Sequence, residues 1–88
     1  PLRLKTESPI VKLRVMEREF YYYVEVIKQV KARLASLGHY QGDTTSDSYG
    51  ENEIRAMTKF QRASGLDPTG IPDQHTLVRL FIRVKLPG

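Results

Sequence analysis

Apolar residues recur at three- and four-residue spacing in three separate stretches of this 88-residue chain. In the first, Ile27, Val30, Leu34 and Leu37 make one stripe, as on an amphipathic helix. The spacing predicts a helix over 24–37, with Lys28, Lys31 and Arg33 mostly facing away from the stripe. Gly38 can take the left-handed conformation that ends a helix. The second stretch predicts a helix over 51–64, with Ile54, Met57 and Phe60 on its buried face and Gly65 closing it. Ser48 and Glu51 have the spacing of a capping box. The third predicts a helix over 74–83 behind Asp73, a good N-cap. Leu77, Leu80, Phe81 and Val84 form its stripe, and Pro87-Gly88 cannot continue it.

The links between these stretches are rich in turn formers. Asp43, Thr44, Thr45, Ser46, Asp47 and Ser48 favour local side-chain-to-backbone hydrogen bonds over regular structure. Asp67-Pro68-Thr69-Gly70 reads as a tight turn. Gly50 and Gly70 each precede a helix by a few residues, an echo too faint for a repeat architecture. Three amphipathic helices on short links are expected to pack as a compact, mainly α bundle over 24–88.

Residues 1–23 have a different texture. Arg3, Lys5, Lys12, Arg14 and Arg18 alternate with apolar residues, and Phe20-Tyr21-Tyr22-Tyr23 follows. Val11, Leu13 and Val15 lie at period two, which suits a half-buried strand. Ser8-Pro9 would equally serve as the cap and first residue of a helix. Both an extended and a helical segment therefore stand at this point. A lone strand leaves backbone groups unpaired. The extension is accordingly expected to be an interaction segment, pairing with another chain or with a further part of a parent protein while its tyrosines cover an apolar surface at the junction.

Composition narrows the classes. The chain has no cysteine, so no disulfide framework is available. No run approaches the ~20 apolar residues of a membrane span. The chain opens at Pro1 with no initiator Met and no visible signal peptide, as a processed protein or a fragment would. Its formal charge of +4 favours anionic polymers without choosing among them. Asp43, Asp47, Glu51 and Glu53 share a stretch with no basic residue, which argues against a uniform phosphate-binding surface. The third helix offers only Gln74, Arg79 and Arg83 for nucleic-acid readout, so no nucleic-acid partner is expected.

The turn residues carry a resemblance. Leu37-Gly38-His39-Tyr40-Gln41-Gly42, then Asp47-Ser48-Tyr49-Gly50, Phe60-Gln61, Gly65-Leu66, Gly70, Thr76-Leu77 and Leu80 follow one another in an order and spacing similar to those of the peptidoglycan-binding domains of bacterial cell-wall hydrolases and envelope proteins. The match covers roughly residues 26–82. It departs at Ser48, at Glu53 where the family usually has Thr, and at Thr69 where an Asp is usual. The resemblance implies a wall-binding module of the periplasm or envelope, or a secreted one. Its ligand would be a peptidoglycan stem peptide or glycan, with protein partners met through residues 1–23. The alternative is an envelope interaction domain that keeps the fold and has lost wall binding.

Tyr40, Asp47, Tyr49, Arg55 and Gln61 are the candidate ligand-binding residues. Tyrosine rings lie against sugars or peptides, and Arg55 could clamp a stem-peptide carboxylate through paired hydrogen bonds. Asp47 could instead order its own loop, and Gln61 could hold a loop carbonyl. No catalytic set is expected. His39 and His75 are the only histidines, no nucleophile-elbow pattern is present, and the ligand count of a zinc hydrolase is missing. Neither a metal nor a cofactor is expected.

Overall fold

The computed structural model describes residues 9–81, which form two strands and then three helices. Strands β1 (Ile10–Val15) and β2 (Arg18–Tyr23) pair antiparallel, with Ile10 opposite Tyr23 and Val15 opposite Arg18. Met16 and Glu17 make the two-residue connection at φ 51° and 68°. Two positive φ values in a two-residue loop are those of a type I′ turn, which matches strand twist. Neither residue is Gly or Asn, so the turn carries roughly 1–2 kcal/mol of strain per residue. Val24 N–H donates to Pro9 O at 2.9 Å and closes the base of the hairpin.

This hairpin corrects the expectation of a strand seeking another chain. The segment is extended, as the alternation implied, but Arg18–Tyr23 supplies its partner. Its inner face is spent on this molecule's own core, since Leu13 and Val15 are each 1% exposed. The Tyr22 hydroxyl donates to Pro72 O at 2.6 Å and pins the sheet to the turn before the last helix. Burial, with Asp73 nearby, raises the pKa of that hydroxyl. The Ser8 cap reading lies outside the described residues.

Helices α1 (Val24–Ser36), α2 (Glu51–Ala63) and α3 (Gln74–Phe81) follow. Helix α1 ends with Gly38 N–H on Ala35 O and His39 N–H on Leu34 O, the two bonds of a Schellman motif. The same pair recurs at α2, with Gly65 N–H on Arg62 O and Leu66 N–H on Gln61 O. Asp73 caps α3 through Oδ1, which accepts from Thr76 N–H at 3.0 Å. Arg83, Val84 and Pro87-Gly88, expected to finish that helix, lie outside the described residues. At α2 the cap sits two residues later than Ser48 would put it. Gly50 is the N-cap, and Glu53 reaches back to its N–H at 2.6 Å.

The bundle core gathers Val30 and Leu34 from α1, Tyr40 from the following turn, Ala56, Met57 and Phe60 from α2, and Leu80 from α3. Ile54 and Leu77 are only half-buried. Leu37 is 39% exposed, because it occupies the C-cap where the chain turns away from the stripe. Lys31 is fully buried, against the expectation that it faces out. Arg33 also turns inward, its Nε donating to Leu80 O at 3.0 Å and tying α1 to α3.

The hairpin buries Leu13 and Val15 and is bonded to the turn before α3 through Tyr22. Phe60→Ala and Leu13→Ala are each expected to cost about 2–5 kcal/mol in urea unfolding. Both variants should melt in one transition. A Leu13→Ala protein with wild-type stability would detach the hairpin from the cooperative unit.

Candidate functional site

Four polar side chains, Lys31, Glu53, Gln61 and Thr76, are buried at positions that the apolar stripes mark. Lys31 lies four residues after Ile27 and three before Leu34. Glu53 and Gln61 lie four residues either side of Met57, and Thr76 lies four before Leu80. Helical geometry thus carries all four into the interior, where each must find partners.

Lys31 reaches across to the polar loop. Its ammonium donates to Ser46 O at 2.9 Å, Ser46 Oγ at 3.0 Å and Ser48 O at 2.7 Å. These bonds use all three ammonium donors. Glu53 Oε2 lies 3.9 Å from the same nitrogen and supplies the compensating charge. That carboxylate also accepts from the Tyr40 hydroxyl and from Gly50 N–H. One buried ion pair thus fastens the loop between α1 and α2 at Tyr40, Ser46, Ser48 and Gly50. Burial pushes the Glu53 carboxyl up, but the Tyr40 hydroxyl, the Gly50 and Glu53 N–H groups and the Lys31 ammonium together hold it below its ordinary value. Burial and the Glu53 carboxylate push the Tyr40 hydroxyl up to about 12. Asp43 orders its own turn by accepting from Thr45 N–H and Thr45 Oγ1, which lower its pKa.

Gln61 does the equivalent work on the other side. Its amide nitrogen has two hydrogens to share among Thr76 Oγ1 at 2.9 Å, Ile71 O at 3.0 Å and Thr69 Oγ1 at 3.2 Å, and its oxygen accepts from Gly70 N–H at 2.8 Å. Fully buried, it holds the link between α2 and α3. Thr69 fits this arrangement, since its Oγ1 also accepts from Ile71 N–H. Gly70 sits at φ +76°, and a Cβ there would come 2.7 Å from Ile54 Cγ2, so the link lies flush on α2 only with glycine. Tyr49 joins the two links, its hydroxyl donating to Gly70 O at 2.8 Å. Burial, then Tyr22 and Glu53, raises its pKa well above the ordinary tyrosine value.

One of the clefts left accessible, of about 270 Å³, lies between the turn after α1 and the outer face of α2. Gly38, His39 and Gln41 line one side, and Asn52, Arg55, Ala56 and Lys59 the other. His39 stands edge-on to Phe60, with ring centroids 6.0 Å apart. Arg55 lies 3.6 Å from Glu51, an exposed pair that holds its guanidinium weakly. Lys59 has no ionic partner among the described residues. The lining presents two cations and two carboxamides, and no carboxylate.

Of the five residues singled out from the sequence, only Arg55 lines this cleft. Tyr40 and Gln61 are buried and Tyr49 is half-buried, and all three are bonded to the two links from within. Asp47 is exposed on the loop outside the lining. His39, Gln41, Asn52 and Lys59 had not been singled out. The exposed polar row Asn52, Arg55, Lys59 at three- and four-residue spacing was the available signal. Among the described residues no three His, Asp or Glu side chains cluster closely enough to hold a metal ion. No described helix is long and apolar enough to cross a membrane.

Removing the buried ammonium leaves Glu53 and three loop acceptors without it. Lys31→Met is expected to lose about 3–5 kcal/mol in urea unfolding. The same network sets the pH limits. Glu53 has a lowered folded-state pKa, so its contribution is present above the ordinary Glu value and is lost as pH falls through the folded one. Tyr40 is raised from 10.0 to about 12, so its contribution is intact below 10.0 and is lost as pH rises through about 12. Urea midpoints measured across pH should fall at both ends, and Glu53→Gln should flatten the acid limb. An unchanged acid limb in that variant would count against the network.

A comparison with protein-family models finds one that matches residues 24–80, described as “Putative peptidoglycan binding domain”. Neither a curated protein nor a solved structure matches the chain. The match begins where α1 begins and leaves the hairpin outside it. It spans well over half of the sequence, and the chain belongs to the peptidoglycan-binding domain family.

Proposed function

We propose that this chain is a non-catalytic module that holds a larger envelope protein to the bacterial cell wall through the cleft beside α2. The single observation that carries the reading is the cleft's lining. Arg55 and Lys59 bring positive charge, and Gln41 and Asn52 bring amides, while Glu51, outside the lining, holds Arg55 only through an exposed pair at 3.6 Å. A short peptide with a free carboxylate is the complementary ligand. Its carboxylate meets the guanidinium in two parallel hydrogen bonds, and its amides meet Gln41 and Asn52. The peptide stems of peptidoglycan are such ligands, and family membership supports them over other peptides.

Tyr40, Tyr49 and Gln61 serve this site from behind, by fixing the links that frame it. The departures from the family pattern support retained binding. Glu53 and Ser48 are partners of Lys31, and Thr69 is a partner of Gln61. None of the three lines the cleft. The proposed setting is the periplasm or envelope, or the wall outside the cell. The rival reading keeps the same fold as an interaction domain without wall affinity.

Co-sedimentation with purified sacculi tests this directly. The wild-type chain should sediment with the sacculi. Arg55→Ala/Lys59→Ala should bind at least about tenfold more weakly, as loss of charge-assisted bonds requires. Both substitutions are on an exposed surface, so the melting temperature should hold. Full retention by the folded variant would place the site elsewhere, and absence of wild-type binding would leave the interaction domain.

A further inference from the structure

Strand β2 satisfies only one edge of β1. The sheet has two strands, so each keeps an outer edge. Opposed residues of an antiparallel pair alternate in their bonding. Some exchange both backbone hydrogen bonds, and those between them turn N–H and C=O away from the partner. Val24 N–H donates to Pro9 O across the base of the hairpin, and that bond fixes the phase. Counted by twos along the register, Val11 with Tyr22, Leu13 with Phe20 and Val15 with Arg18 are the bonded pairs. Ile10, Lys12 and Arg14 therefore turn their N–H and C=O groups outward. None of these groups meets another backbone group among the described residues. Helix α1 packs against β2, whereas β1 has extensive contact among the described elements with β2 alone. Ile10, Lys12 and Arg14 are all exposed, so the β1 edge is the open one.

An open edge is chemically particular. Its donors and acceptors recur at every second residue, roughly 7 Å apart. Another extended polypeptide carries the complementary groups at the same repeat. Side chains then restrict its sequence. Leu13 and Val15 are buried, so strand alternation puts Lys12 and Arg14 on the opposite, outer face. Glu19 of β2 shares that face and lies 3.7 Å from both bases. It is the only acid among the strand positions there, so the two bases outnumber it. An acid on a strand added at the other edge of β1 would meet Lys12 and Arg14 as Glu19 does. A second copy of this chain is a poor fit. Antiparallel pairing of two β1 edges in the best-overlapped registers sets Lys12 opposite Lys12 or Arg14, and like charges directly opposed are destabilising.

We propose that the β1 edge takes an extended segment of a partner polypeptide as a third strand, with acidic residues at the alternate positions that face Lys12 and Arg14. Backbone hydrogen bonds supply the affinity, and the exposed charge pairs set register and preference. The edge lies outside the residues that match the family, and the proposal does not rest on the wall-binding reading.

The probe is a short synthetic peptide in which glutamate alternates with threonine, amidated so that it has no terminal carboxylate. It is added to the isotope-labelled chain and followed by NMR and amide hydrogen exchange. In the free chain the amides of Ile10, Lys12 and Arg14 should exchange freely, while those of Val11, Leu13 and Val15 are protected. The peptide should slow exchange at Ile10, Lys12 and Arg14, a period-two pattern that side-chain attraction alone does not produce. Lysine in place of glutamate should weaken binding at least about tenfold, as opposed pairs are exchanged for like charges. Methylation of the peptide nitrogens on the bonding edge should abolish the protection. Arg55→Ala/Lys59→Ala should leave binding at the hairpin unchanged. Unaltered exchange at Ile10, Lys12 and Arg14, or equal binding of the N-methylated peptide, overturns the proposal. Protection already present in the free monomer would give the edge to another segment of this chain. Protection that appears with dimer formation would give it to a second copy. Either result overturns the proposal as well.

Discussion

The fold depends on one buried ammonium. Lys31 sits in the middle of the apolar stripe of α1 with no exposed surface. Burying a charge there is unfavourable by several kcal/mol unless it is paired and fully hydrogen-bonded. The chain meets that condition with two loop carbonyls, a serine hydroxyl and the Glu53 carboxylate. The consequence is structural economy. A twelve-residue polar link with no ladder of its own, 39–50, is ordered by side chains that need it in return. Tyr40, locked to Glu53, sits between His39 and Gln41, and those two line the cleft. The charge pair thus reaches the proposed peptide site without touching it.

Of the departures from the resembled pattern, Glu53 is the one that the buried ammonium explains through its side chain. A Thr at position 53 could not balance an ammonium, whereas Glu53 does so and caps α2 as well. Lys31 and Glu53 are one device on two helices. Gln61 plays the neutral counterpart in the second link, where a carboxamide has both the donors and the acceptor that Thr69, Gly70, Ile71 and Thr76 require. Tyr49 and Tyr22 bridge the links and the hairpin through Gly70 O and Pro72 O. These half-buried tyrosines serve as long struts with a hydrogen bond at the tip.

Much of this was readable in the residues. The three helices, their glycine ends and the Asp73 cap follow from periodicity and local capping chemistry, which act over a few residues. The hairpin was only half readable. Val11, Leu13 and Val15 alternate cleanly, but Met16-Glu17 carries no Asn-Gly or Asp-Gly signal, so the second strand was hidden behind an atypical turn. The site was the least readable part. Tyr40 and Tyr49 were singled out for their ability to meet a ligand, and that hydrogen-bonding capacity is spent inside the protein, on Glu53 and on Gly70 O, while Gln61 holds a loop carbonyl, as its alternative reading had it. Lys31 was placed outside by its charge, although its spacing from Ile27 and Leu34 put it inside. Where residue type and periodicity disagreed, periodicity prevailed.

A double-mutant cycle on Lys31→Met and Glu53→Gln measures the central interaction most directly, with urea unfolding as the readout. The expected result is a coupling energy of about 1–3 kcal/mol, each single change being much worse in the presence of the other native partner. Additive effects of the two substitutions would contradict the account, because the loop and the cleft it frames would then not depend on this pair.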